Sequence, residues 1–65
     1  MSASAGELSS IATALEELTR RVTTHAEAAD AAKDDEAANE LFAIERSMTG
    51  AGRRLSRLTD TLRNR

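Results

Sequence analysis

With 65 residues the chain has room for one small domain, of a size at which a lone apolar core is marginal and association with another chain is the usual remedy. The absence of cysteine excludes disulfide frameworks and thiolate metal sites, and no stretch approaches the roughly 20 apolar residues of a membrane span. The net charge of -2 is small but unevenly spread: Glu27 to Glu45 carries seven carboxylates against Lys33, whereas Arg53 to Arg65 carries five arginines against Asp60.

Met1 to Ala5 is small and polar and is expected to fray, without the basic and apolar regions of a signal peptide. A soluble, cytoplasmic protein with no membrane partner is therefore expected. The preponderance of arginine over lysine, with thirteen alanines, suits a small bacterial protein from a GC-rich genome. Ser4-Ala-Gly-Glu7 has the form of a capping box, which places the start of a first helix at about residue 6. Leu8, Ile11, Leu15, Leu18, Val22, His25, Ala29 and Ala32 then alternate spacings of three and four, an apolar seam at heptad period. Glu16 with Arg20 and Glu17 with Arg21 supply favourably oriented i to i+4 pairs on the outer face.

The first helix is expected to run to about residue 32, with a turn at about 33–36. Nothing in Ala31-Ala-Lys-Asp-Asp-Glu36 is a strong helix stop, yet two observations favour a reversal. The frame of the first seam meets that of the second seam (Leu41, Ile44, Met48, Ala51, Leu55, Leu58, Leu62) with a five-residue offset that neither a stutter nor a stammer absorbs. In addition, Asp34, Asp35 and Glu36 oppose the dipole of a helix ending there but complement one beginning there. The competing architecture is a single long helix that dimerises.

The second helix is expected over about 36–63. Thr49-Gly-Ala-Gly52 interrupts it with two glycines, each costing about 1 kcal/mol relative to alanine, so a kink at 50–52 or a close backbone approach is expected. Gly52 and Ser56 fall on the same flank as Ala38 and Phe42, and Phe42, the only aromatic, is expected to be covered there by a second chain. The fold class that follows is all-α: an antiparallel two-helix hairpin, coiled-coil-like, occupying 6–65 and dimerising into a four-helix bundle. Its arms resemble in outline those of secreted helical hairpins of the WXG type. Those carry a Trp-x-Gly turn, which this tryptophan-free chain cannot form, so no family is assigned.

No catalytic, cofactor or metal site emerges. Val22 stands where a Glu-x-x-His metal motif ending at His25 needs glutamate, and His25 reads as a polar layer that sets register. The acidic tip of Asp34, Asp35, Glu36 and Glu40 lacks the ligand spacing and glycine of a calcium loop and reads as capping and as a docking point for a basic partner. Ser47 and Ser56 have no base and acid arranged about them. The expectation is a non-enzymatic interaction or regulatory module without cofactors, a homodimer binding a further protein through the interface Phe42, Ala38, Gly52 and Ser56. The alternatives are a nucleic-acid binder using Arg53, Arg54, Arg57 and Arg63 and, last, a metal-binding bundle.

Overall fold

The computed structural model describes residues 4–65. Two helices, α1 (Ala5–Ala31) and α2 (Asp35–Arg63), pack against each other as a hairpin 49 × 18 × 14 Å in extent. Met1 to Ala3 of the segment expected to fray lie outside the described residues. Ser4 is extended, with φ -93° and ψ 122°, and its hydroxyl accepts the Glu7 amide at 3.2 Å, which satisfies one of the four amides a helix start leaves unpaired. On the outer face Arg20 bridges Glu16 at 3.2 Å and Glu17 at 3.7 Å. The second contact takes the place of the expected Glu17–Arg21 pair.

The reversal occupies Ala32 to Asp34 and solves the missing-stop problem without glycine. Lys33 takes the left-handed conformation, φ 63°, and two crossed bonds close α1: Lys33 N–H to Asp30 O at 3.0 Å and Asp34 N–H to Ala29 O at 2.9 Å. This is the Schellman arrangement, usually built on glycine at the left-handed position. Asp34 then opens the next helix, its carboxylate accepting the Ala37 amide at 3.2 Å. One residue ends α1 through its amide and begins α2 through its side chain.

The helix contact is narrower than the heptad reading anticipates. Leu8, Leu15, Val22 and Ala29 of α1 and Leu41, Met48, Leu55 and Leu62 of α2 do face the contact, all half-buried. Between them, however, stand Ala12, Thr19 and Ala26, and across from these Ala38, Glu45, Gly52 and Thr59. The intervening residues expected at the seam turn outward: Ile11, Leu18 and His25 on α1, Ala32 just past its end, and Ile44, Ala51 and Leu58 on α2, are exposed. Both sets of positions continue the leucine row with three-four spacing, one on each side of it. The side with small residues wins the contact because it lets two backbones approach. The only buried residues among those described are Ala26, Ala38 and Thr59.

Polar groups within the seam are paired locally. The Thr19 hydroxyl donates to Leu15 O at 2.7 Å and the Thr59 hydroxyl to Leu55 O at 2.9 Å. The Thr23 hydroxyl reaches the Glu45 carboxylate across the hairpin, so no buried polar side-chain atom is left alone among the described residues. Finally, α2 runs through Gly50 and Gly52 as one continuous helix. The helix is not split at these glycines. At Gly52 the neighbour is the side chain of Leu15, 3.8 Å from where a Cβ would stand, and at Gly50 nothing lies within 4 Å.

Candidate interaction surface

Four large apolar side chains remain well exposed: Ile11 at 52%, Leu18 at 46%, Leu58 at 45% and Ile44 at 40%. Helix geometry gathers them on one side. Ile11 and Leu18 are seven residues apart and share a row flanking Leu15, and Ile44, Ala51 and Leu58 form the matching row flanking Leu55. Both rows lie on the side of the hairpin opposite the Thr23–Glu45 contact, because residues four apart in one helix are adjacent while those two apart diverge. Leu15, Ala51, Leu55 and Leu58 line a shallow depression on this side, with Arg54 at its rim. The hairpin is thus a two-helix layer with an apolar surface on one broad side.

The other broad side carries a row of hydroxyl groups, with the apolar Ala12, Leu15 and Met48 among them. An open groove there is lined by Ser9, Thr13, Thr19 and Thr23 of α1 and by Thr49, Gly52, Arg53, Ser56 and Arg57 of α2. Two of its threonine hydroxyls donate to carbonyls one turn back in their own helix, Thr13 to Ser9 and Thr19 to Leu15, and Arg20 is held by Glu16.

Sequence-expected sites distribute as follows. Ala38 is 3% exposed and Gly52 lies against Leu15, so both face the other helix of the same hairpin instead of a second chain. Their small size serves the close approach of α1 and α2. Phe42 is half-buried and Ser56 exposed, on the hydroxyl-bearing side of α2, since Phe42 is two residues from Ile44. Asp34, Asp35, Glu36 and Glu40 are all exposed at the tip. Arg53, Arg54, Arg57 and Arg63 are exposed but divided, with Arg53 and Arg57 on the groove and Arg54 beside the apolar depression. They form no single phosphate-tracking stripe. His25 is exposed outside the contact and no three metal-ligating side chains cluster among the described residues.

Ile11, Leu18, Ile44 and Leu58 are the residues a sequence reading misassigns, since size alone argues for burying them. The available signal was the parallel row of Ala12, Thr19 and Ala26, which is small enough to form the contact. Compared with protein-family models, curated proteins and solved structures, the chain finds no match. No helix of the described residues is long and apolar enough to cross a membrane.

Proposed function

We propose that the protein is a non-enzymatic helical interaction module that works as a homodimer, two hairpins closing over their apolar sides to make a four-helix bundle and together presenting polar surfaces and acidic tips to a protein partner. The observation that carries this reading is that no large apolar side chain is fully buried within the hairpin among the described residues, while four of them stand exposed on one side. Burying such a side chain contributes about 1.5 to 3 kcal/mol, and the hairpin forgoes most of it at Ile11, Leu18, Ile44 and Leu58. Area supports the same reading. The chain exposes 4969 Å², against about 4,000 Å² for a folded monomer of its 7.0 kDa. The excess of about 900 Å² is that of a thin two-helix layer, 49 × 18 × 14 Å in extent, whose broad sides are uncovered.

Sedimentation equilibrium at micromolar concentrations tests the proposal. A dimer is expected, and Leu58→Glu should convert it to a monomer of lower helical content. A cooperatively folded monomer at all concentrations would overturn it.

A further inference from the structure

Resting on the reading of the apolar side as a self-association surface, we infer that its occupant is a second copy laid head to tail, α2 against α2, about a two-fold axis passing at Ala51. Three observations converge on this arrangement. The first is the spacing of the outward row on α2. Ile44 and Leu58 stand seven residues either side of Ala51, so an axis there sets Ile44 on Leu58 of the second copy and Leu58 on its Ile44. A two-fold interface needs this reciprocity, in which residue i meets j and j meets i. The residue at the crossing is alanine, which suits helix axes about 8–10 Å apart.

The second observation is that α1 obeys the same axis. Leu15 lies against Gly52, so the midpoint of Ile11 and Leu18 falls within about one turn of the height of Ala51. One operation therefore covers all four exposed side chains.

The third is charge. Residues 34–45 carry five carboxylates and no basic side chain, and residues 46–65 carry six arginines and one aspartate. Both ion pairs among the described residues, Arg20 with Glu16 and with Glu17, lie within α1, so no ion pair joins the charged halves of α2 to their own hairpin among the described residues. Glu40 and Glu36 continue the Ile44 row toward the tip at one-turn intervals, and the other end of α2 carries Arg63 in its last turn and Arg65 just beyond it. Laid head to tail, the copies set Glu36 and Glu40 of each level with Arg63 and Arg65 of the other, at both ends of the bundle. A tip-to-tip bundle would gather both acidic tips at one end and leave the arginines together at the other. Solvent-exposed pairs of this kind add little affinity, and their effect is to select orientation.

The chain has no cysteine, which makes cross-linking a direct test. Ala51→Cys is expected to give a disulfide-linked dimer on mild oxidation. Ile44→Cys is not, since its two copies would stand about 20 Å apart along antiparallel helices. As a second measurement, a spin label on Lys33→Cys at the exposed tip should report tips roughly 50 Å apart, against roughly 20 Å for a tip-to-tip bundle. A dimer whose tip labels lie close together, whose Ile44→Cys links to itself, or whose Ala51→Cys does not link would overturn this inference and leave self-association standing. A monomer throughout the sedimentation series would overturn both.

Discussion

Thr23 and Glu45 meet across the hairpin, the threonine hydroxyl reaching the half-buried carboxylate from the facing helix. It is the only side-chain hydrogen bond between α1 and α2 among the described residues, and it fixes which turn of one helix lies beside which turn of the other. The same hydroxyl lies 3.1 Å from Thr19 O, and its one proton favours the charged acceptor. Thr23→Val should cost about 1 kcal/mol by leaving the carboxylate without its donor, whereas Thr23→Val with Glu45→Leu should recover that loss or more. Chemical denaturation of the two single variants and the double variant gives the coupling directly.

Lys33 holds a left-handed conformation that a side chain disfavours. Lys33→Gly removes the Cβ clash while keeping both crossed bonds, and should stabilise the protein by about 1 kcal/mol, read as a higher denaturation midpoint with an unchanged m-value.

Asp34→Ala should cost about 1 kcal/mol, since the Ala37 amide loses its acceptor. Asp34→Asn, which keeps an oxygen in place, should retain most of the stability. Comparing the two separates the cap's hydrogen bond from the favourable meeting of a carboxylate with the start of a helix.

Gly50→Ala should stabilise α2 by about 0.5 to 1 kcal/mol, because a methyl group there meets nothing within 4 Å and alanine lowers the entropy of the unfolded chain. Gly52→Ala places its methyl 3.8 Å from Leu15 Cδ2, an ordinary contact, so it too should be tolerated. Larger residues at 52, such as leucine, should push the helices apart and lower stability by about 1 to 3 kcal/mol, read as a lower denaturation midpoint.

A charge-reversal series tests the electrostatics of association. Glu36→Arg with Glu40→Arg should weaken dimerisation several-fold at low salt with little effect at high salt. Adding Arg63→Glu and Arg65→Glu to the same chain should restore it.

The hairpin itself was legible from two particulars, the five-residue offset between the leucine frames and the acidic cluster at Asp34 to Glu36, both of which argue for reversal. Which positions fill the helix contact was not. A heptad reading ranks candidate seams by side-chain size, and so prefers Ile11, Leu18, Ile44 and Leu58. In the structure those rows face away and the helices close over Ala12, Ala26, Ala38 and Gly52. Size measures what a residue gains by leaving water, and that gain is blind to which neighbour supplies the cover. Steric approach between two backbones decides the pairing within one chain, and it favours the small row. The interface assigned to Ala38 and Gly52 failed for the same reason, since their smallness belongs to the contact inside the hairpin. At the tip the capping expected of the acidic cluster is made by Asp34, while Lys33 performs a glycine's task that no residue-type rule flags.

The local stitching at Asp34 carries a kinetic consequence. The bonds that reverse the chain span at most five residues, so the turn can form before any distant segments have met and the two arms then register outward from it, as a zipper does from its closed end. In refolding followed by pulsed amide exchange, amides flanking the turn should consequently gain protection first, and those near Leu8 and Leu62 last.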